Sequence, residues 1–246
     1  MHVALLYAAL TGVATAIGGM LALRTRDRLH LILGLAAGLM LGLVGFDLLP
    51  SVFALDHRSL GHVPVVALCF IGGFVLLHLV ERMFATHEPS ESEYESHSQH
   101  HHAGAGTATG IAMIGHVFLD GVGIGAAFHV STGLGLAVFV ALMVHAFNDG
   151  LNTVTFLIRA HRWTTRARWL LAVDFLSRVG GAAFGSYFLL NSSFVAIYLA
   201  LFSGFVIYIA TSHILPEAHS NHPSRWTVVM TIIGVLVMWG VVALGA

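Results

Sequence analysis

The sequence predicts an all-α, polytopic membrane protein with eight transmembrane helices and both termini outside. Of its 246 residues, 57% are hydrophobic and only 9% are charged, whereas a soluble domain carries about 25% charged residues. Eight apolar stretches reach the length of about 20 residues that a helix needs to span the hydrocarbon. They cover residues 3–23, 29–53, 63–84, 110–130, 134–158, 169–190, 194–215 and 226–244.

The arginines predict which ends of the helices are cytoplasmic. All eleven basic residues are Arg, and eight alternating spans put nine on one side, one on the other and one inside a helix. The nine are Arg24, Arg26, Arg28, Arg82, Arg159, Arg162, Arg166, Arg168 and Arg225, and the other two are Arg58 and Arg178. Because cytoplasmic loops are enriched in basic residues, the Arg-rich side is the cytoplasmic one. The expected location is a bacterial inner (cell) membrane, crossed several times.

One long polar segment divides the chain. Residues 1–84 contain the first three predicted helices, residues 85–109 form a His/Glu-rich cytoplasmic loop, and residues 110–246 contain the last five helices. The loop has almost no large apolar residues and is therefore predicted to be disordered. Its histidines predict either weak collection of Zn²⁺-like ions or a solvated linker. They are His97, His100, His101 and His102.

The motif H-x-F-x-D-G occurs twice inside apolar stretches, at His116–Gly121 and at His145–Gly150. On a helix, residues four apart share a face, so each copy directs an imidazole and a carboxylate the same way. The fourth and fifth helices are antiparallel and joined by a short turn. A rise of 1.5 Å per residue puts both carboxylates at similar depths, about 13–15 Å from the cytoplasmic ends.

These four side chains predict a metal site near the middle of the bilayer, formed by His116, Asp120, His145 and Asp149. Ionisable groups at that depth are costly and usually functional, and two carboxylates alone would repel each other. A divalent cation between them removes the repulsion. Nitrogen and oxygen ligands suit Zn²⁺, and also Fe²⁺, Mn²⁺, Co²⁺ and Cd²⁺. The alternative for a single copy is a polar pair that holds helices together.

Other ionisable residues in the predicted helices have two interpretations each. Asp47, near the outer end of the second helix, recruits cations or reaches the interface. His213 and Glu217, at the inner end of the seventh helix, receive a departing ion or cap the helix. Arg178 on the sixth helix lies four residues after Asp174, a spacing that allows an ion pair.

With these residues in view, the chain resembles the Zrt/Irt-like (ZIP) family of divalent metal transporters over essentially its whole length. The shared features are eight helices with outside termini, a His-rich loop between the third and fourth helices, and paired H-x-x-x-[DE]-G motifs. The helix ends Leu48-Leu49-Pro50 and Leu215-Pro216-Glu217-Ala218 also resemble family patterns. The resemblance implies metal uptake into the cytoplasm, with one helix bundle moving against another to give alternating access.

The chain departs from the family pattern in ways that predict a single-metal site. Family motifs often read H-N-x-P-E-G, but the proline positions here are Leu119 and Asn148. The family's helix kinks are therefore not expected at these positions, and we expect Asn148 and Asn152 to supply polar contacts instead. The positions that hold a second metal in many members correspond to Val117, Ala146 and Arg178. Two apolar residues and an arginine cannot hold a cation. We therefore expect the guanidinium to fill the space of the second ion and to pair with Asp120 or Asp149.

Other functions compatible with parts of the pattern are an intramembrane metal-dependent hydrolase, a six-span cation-diffusion exporter and a metal sensor that does not transport. The hydrolase needs a general base such as the Glu of H-E-x-x-H, which neither motif provides, so the chain is predicted not to be an enzyme. A net charge of -1 gives no indication of nucleic-acid binding. Faces of small residues permit a homodimer. Zn²⁺ is the expected substrate.

Overall fold

The structure, a computed structural model, describes residues 2–22, 29–85, 103–159, 165–188, 191–220 and 225–245, and these residues are almost entirely helical. Helix runs through each of the eight predicted stretches. The helices are α1 (His2–Ala22), α2 (Leu29–Leu43), α3 (Leu49–Leu55), α4 (Val65–Ala85), α5 (Ala103–Val130), α6 (Thr132–Arg159), α7 (Thr165–Phe188), α8 (Ser192–Ile209), α9 (Leu215–Ser220) and α10 (Arg225–Gly245).

Two π-helical turns interrupt the second and seventh stretches without ending them. Val44–Leu48 joins α2 to α3, and Ala210–Ile214 joins α8 to α9. Each turn is followed by Leu-Pro, and the leucine N–H bonds five residues back, to the carbonyl of Val44 or Ala210. Proline has no N–H to continue the α-helical hydrogen-bond pattern. One wider turn before each proline keeps the helix continuous.

Within the described residues, four helical segments are long and apolar enough to cross a membrane. They are His30–Leu55, Val65–Met83, Ser192–His219 and Arg225–Leu244, and shorter apolar helices cover His2–Gly18, Ile114–Val130 and Thr132–Ala146. Large apolar side chains point outward along α1, α4 and α10, among them Leu6, Ile71 and Leu236. Extended apolar surfaces of this kind are unusual on soluble monomers. The described helices therefore indicate an integral membrane protein.

Glycine holds three pairs of helices in close parallel contact. A Cβ on Gly121 of α5 would lie 2.0 Å from the Arg178 carbonyl oxygen of α7, and one on Gly181 would lie 2.1 Å from the Phe118 carbonyl oxygen. Reciprocal contacts of the same kind join α4 to α8, through Gly73 and Gly204, and α2 to α10, through Gly38 and Gly234. Only glycine permits such backbone proximity. Successive contacts show the direction of each pair. Gly121 and then Gly125 of α5 meet the carbonyls of Arg178 and then Ala182 of α7, and Gly34 and then Gly38 of α2 meet those of Thr227 and then Thr231 of α10. On α4 and α8, Gly73 meets Leu201 and His78 meets Tyr208, so all three pairs are parallel.

The helices form two groups. One contains α1, α5, α6 and α7, and the other contains α2 with α3, α4, α8 with α9, and α10. The groups meet where α6 packs on α2 and α10, and where α5 packs on α8. Both H-x-F-x-D-G motifs belong to the first group, and α5 and α6 are uninterrupted α-helices through them.

The connection between α5 and α6 is a single residue, Ser131. Its Oγ accepts a hydrogen bond from the Leu134 N–H at 3.0 Å, which caps the start of α6,. This turn makes the two motif-bearing helices antiparallel neighbours, as expected. At the other end, α5 begins at Ala103, inside the predicted loop. Residues 86–102, including His97 and His100–His102, lie outside the described residues.

A short hairpin connects α3 to α4. Strands Ser59–Leu60 and Val63–Pro64 pair around Gly61, whose φ of +64° suits a residue without a Cβ,. Before the hairpin, the Arg58 guanidinium donates to both oxygens of the Asp56 carboxylate. These bonds hold the pKa of the Asp56 carboxyl below its usual value and raise the pKa of Arg58.

Candidate metal centre

The two motifs converge in the structure. One ligand atom from each of His116, Asp120, His145 and Asp149 lies within 4.8 Å of every other. The two imidazole Nε2 atoms are 3.1 Å apart. His116 Nε2 lies 3.7 Å from Asp120 Oδ2, and His145 Nε2 lies 3.5 Å from Asp149 Oδ2. We call this group the His/Asp tetrad.

Three of the separations within the His/Asp tetrad are close to those around a tetrahedral metal ion. Zn–N and Zn–O distances are about 2.0–2.2 Å, so neighbouring ligand atoms in a tetrahedron of that size lie about 3.3–3.6 Å apart. The measured distances of 3.1, 3.5 and 3.7 Å fall around this range. The four side chains therefore present two nitrogen and two oxygen donors at a spacing that a transition metal could use with little movement.

Arg178 of α7 contacts both carboxylates of the tetrad. Its Nη1 is 3.3 Å from Asp120 Oδ2, and its Nη2 is 3.8 Å from Asp149 Oδ2. The side chain is fully buried. The guanidinium thus reaches both of the carboxylates that the sequence offered as alternative partners.

Several buried atoms at this site have no hydrogen-bond partner. Among the described residues they include His145 Nδ1, Asp149 Oδ2, and Nε and Nη2 of Arg178. Buried polar groups are nearly always satisfied, because leaving one unpaired costs about 1–3 kcal/mol and more for a charged group. The concentration of unsatisfied atoms at one place is typical of a binding site for a charged or polar ligand.

The tetrad is buried unevenly. The side chains of Asp120 and His145 are each 4% exposed and that of Asp149 is 9% exposed, whereas that of His116 is 25% exposed. His116 precedes Asp120 on α5 and therefore lies toward the end of the bundle where α5 begins. The most exposed member of the tetrad thus lies toward the end that the arginine distribution predicts to be cytoplasmic.

Neighbouring helices fix the positions of these side chains. Gly121, next to Asp120, brings α5 into backbone contact with α7 at Arg178. The Ser177 hydroxyl donates to the Ile114 carbonyl oxygen at 3.0 Å and strengthens the same pair. From the second helix group, the Tyr198 hydroxyl donates to the Leu119 carbonyl oxygen at 2.6 Å. The site therefore lies in the first helix group, beside its contact with α8.

The other predicted site residues lie apart from the tetrad. Asp47 is half-buried on the first π-helical turn and accepts a hydrogen bond from Ser51. His213 is on the second π-helical turn, and the exposed Glu217 follows on α9. Asn148 and Asn152 are on α6, but their side chains lie outside what the structure describes.

Sequence reasoning missed a polar network between α4 and α8 that contains His213. Glu81 Oε2 accepts from the Tyr208 hydroxyl and lies 2.9 Å from His213 Nε2. His78 Nδ1 lies 3.2 Å from the Tyr208 oxygen. Because the Tyr208 hydroxyl donates a hydrogen bond to Glu81, its oxygen accepts a hydrogen bond from His78 Nδ1. The spacing of His78 and Glu81, three residues apart on one apolar helix, was the available signal.

No protein-family model matches this chain, and no curated protein matches it significantly. The fold and site define an integral membrane protein with a buried His/Asp cluster that could hold a metal ion. Its function is therefore inferred from the geometry of the tetrad and of the helices that carry it.

Proposed function

We propose that the protein is a transporter of divalent transition-metal ions, with Zn²⁺ as the expected substrate and the cytoplasm as the destination. The His/Asp tetrad is the transport site. The observation that carries the proposal is the convergence of two imidazoles and two carboxylates, at metal-ligand spacing, inside a bundle of apolar helices. Buried polar clusters at this depth mark ion pathways in membrane proteins.

The surroundings of the tetrad favour one bound ion. Val117 and Ala146 follow the two motif histidines and are fully buried, and neither has a donor atom. Arg178 supplies a fixed positive charge within 4 Å of both carboxylates. A second cation would find neither ligands nor favourable electrostatics at this position.

The division into two helix groups supports alternating access. All four tetrad residues and Arg178 belong to α5, α6 and α7, so the site would move as a unit with the first group. Relative movement of the groups at the α5–α8 and α6–α2 contacts would expose the tetrad to one side and then the other. The exposed edge at His116 corresponds to the state open toward the predicted cytoplasm.

The parallel helix pairs support eight membrane crossings. Helices that alternate in direction can pair in parallel only if their positions in the order of crossings differ by an even number. The pairs α2/α10, α4/α8 and α5/α7 correspond to stretches two and eight, three and seven, and four and six. Each pair satisfies this condition, so the packing agrees with the topology that the arginines predict.

Asp47 and His213 with Glu217 are suited to attract and release the ion at opposite ends of the second group. Asp47 lies before the hairpin that leads into the start of α4, whereas His213 bonds to Glu81 near the end of α4. Both are on π-helical turns, which often occur at functional sites. In the proposed topology, Asp47 faces the uptake side and His213 the cytoplasm.

The test is metal flux into proteoliposomes containing the purified protein, with Zn²⁺, Fe²⁺, Mn²⁺ and Cd²⁺ offered separately. We expect saturable Zn²⁺ flux that the His145→Ala/Asp149→Ala double variant loses. The Asp56→Asn variant, altered only at the remote hairpin, is the control for reconstitution. Stoichiometric metal binding without flux would indicate a sensor, and wild-type protein that binds no metal would refute the proposal.

A further inference from the structure

The contacts of Arg178 raise a question about how metal binds. The oxygen atoms nearest to the guanidinium, Asp120 Oδ2 and Asp149 Oδ2, are the same atoms that approach the two imidazoles. A metal ion held by the tetrad would therefore use oxygens that the guanidinium already contacts. Two cations that depend on the same oxygens oppose each other.

The guanidinium makes only one hydrogen bond to the tetrad in its present position, from Nη1 to Asp120 at 3.3 Å. Its contact with Asp149 is 3.8 Å long, and its Nε and Nη2 have no hydrogen-bond partner. A buried arginine with a structural task would use its forked donors in short paired bonds. Arg178 instead places its positive charge near two carboxylates, and its Nε–H and Nη2–H groups could bond to another partner.

Asp174 is placed to become that second partner, although it forms no ion pair with Arg178 within 4 Å in this structure. It lies four residues before Arg178 on α7, and an acidic residue in this position relative to a basic one favours an ion pair along a helix. It is half-buried and interacts electrostatically with Arg178, Asp149, Asp120 and His116. In the parallel α5/α7 pair, Arg178 meets Asp120, so Asp174 lies near the level of His116, the most exposed member of the tetrad.

We propose that Arg178 is an internal competitor of the transported ion. When the site is empty, its guanidinium neutralises the carboxylates of Asp120 and Asp149. When the ion binds, the guanidinium moves toward Asp174 and leaves the two carboxylates to the metal. Asp174 is thus a positioning residue that acts through Arg178, and the inference rests on the tetrad being the transport site.

The competition serves release. Two carboxylates and two imidazoles alone would bind a transition metal tightly and let it go slowly. A tethered cation that regains its partners when the metal leaves lowers the affinity and accelerates dissociation. It also lets the empty carrier return without two uncompensated like charges beside each other.

The experiment measures the Kd of Zn²⁺ by isothermal titration on wild-type protein, Arg178→Gln and Arg178→Lys, together with flux at saturating Zn²⁺. We expect Arg178→Gln to tighten the Kd by about tenfold or more, equivalent to about 1.4 kcal/mol, and to lower the maximal flux because release is slowed. The Lys variant keeps the charge without the fork, so its Kd lies between the other two. An unchanged or weaker Kd in Arg178→Gln overturns the proposal.

A double-mutant cycle tests the part played by Asp174. In the wild-type background, Asp174→Asn removes the carboxylate toward which the guanidinium moves and should weaken Zn²⁺ binding by about threefold to tenfold. In the Arg178→Gln background, the same change should alter the Kd by less than about twofold. An equal loss in both backgrounds means that Asp174 acts on the ion directly, which contradicts the proposal.

The folding of Arg178→Gln is itself informative. A variant that can be isolated only with Zn²⁺ present supports the proposal, because the ion then replaces the guanidinium between the carboxylates. A variant that folds neither with nor without Zn²⁺ overturns it, because the guanidinium then has a structural task that metal cannot perform. Wild-type protein that binds no Zn²⁺ refutes the transport site itself, so the two failures are distinguishable.

Discussion

Two of the parallel helix pairs, α5/α7 and α4/α8, are built alike but differ in the state of their polar groups. Each pair is held together by reciprocal glycine contacts, and each has a cluster of ionisable side chains at its edge. Between α4 and α8, the hydroxyl of Tyr208 and the carboxylate of Glu81 join two histidines in one hydrogen-bonded network. Beside α5 and α7, buried atoms of Arg178, Asp149 and His145 have no hydrogen-bond partner.

This difference in hydrogen bonding distinguishes a structural network from a binding site. A network whose members satisfy one another contributes to stability without a bound ion. In a buried cluster with unpaired donors and acceptors, the free-energy cost of desolvation is not offset, and a bound cation can offset part of it. Ionisable residues in a membrane helix thus have either a structural or a binding role, and their hydrogen-bond partners indicate which.

The largest expected effect comes from forcing one helix pair apart. Gly181→Ala would place a Cβ 2.1 Å from the Phe118 carbonyl oxygen, so α7 must move away from α5 and take Arg178 with it. We expect a loss of stability of about 3 kcal/mol or more, together with altered Zn²⁺ affinity. Thermal unfolding and titration with Zn²⁺ measure the two quantities.

The neighbouring glycine supplies the matched control. A Cβ on Gly180 meets nothing within 4 Å, so Gly180→Ala should keep or slightly raise stability, by up to about 1 kcal/mol. In the other pair, Gly73→Ala should destabilise the protein and leave the Zn²⁺ Kd unchanged, with Gly72→Ala as its control. Equal behaviour of Gly180→Ala and Gly181→Ala would contradict the close α5/α7 packing.

A substitution with a smaller effect on stability distinguishes the α4/α8 network from the metal site. Tyr208→Phe removes the hydroxyl that links Glu81 to His78 but keeps the ring, which packs edge-on against Phe74. We expect a loss of about 1 kcal/mol in stability, the usual net value of a hydrogen bond, and no change in Zn²⁺ Kd. Chemical denaturation in detergent and Zn²⁺ titration are the measurements.

The counterpart in the site is Asp149→Asn. It removes one of two like charges around Arg178 and one metal ligand, so Zn²⁺ binding should weaken by about a hundredfold while stability without metal changes by less than about 1 kcal/mol. If Tyr208→Phe weakened Zn²⁺ binding as strongly as Asp149→Asn, the distinction between the two clusters would fail.

The sequence carried enough information to bring the tetrad together. The repeat of one motif at helical spacing fixes which face each pair occupies, and the short connection at Ser131 makes the two helices neighbours. Arg178 could also be placed near the carboxylates, although not in contact with both. That double contact depends on how closely α7 approaches α5, which the glycines permit but do not specify.

The α4/α8 network could not be predicted in the same way. Glu81 and Tyr208 are far apart in the sequence, and no repeated motif connects them. Which helix pairs with which depends on all the glycine-bearing faces together, because several faces have suitable small residues. The π-helical turns were also missed: the prolines at 50 and 216 indicate a local disturbance of the helix, but a kink, a break and a wider turn have the same sequence signal.

The smallest expected effect lies at the hairpin, where an ion pair joins the buried carboxylate of Asp56 to the exposed guanidinium of Arg58. The Arg58 guanidinium lowers the pKa of the Asp56 carboxyl in the folded protein. A depressed carboxyl pKa stabilises the fold at pH values above the unfolded pKa of about 3.9, and this contribution disappears as the pH falls through the lower, folded pKa. Asp56→Asn lacks the contribution at every pH.

The difference in Tm between wild type and Asp56→Asn should therefore be small and constant from pH 7 to about pH 5 and should shrink as the pH falls below about 4. Arg58→Gln removes the other half of the pair and should show the same dependence. Because Arg58 is 54% exposed, solvent weakens the pair, and the effect should be smaller than that of Tyr208→Phe. A difference that grows toward low pH would have the wrong sign for a depressed carboxyl pKa and would mean that the Asp56–Arg58 contact does not stabilise the folded protein.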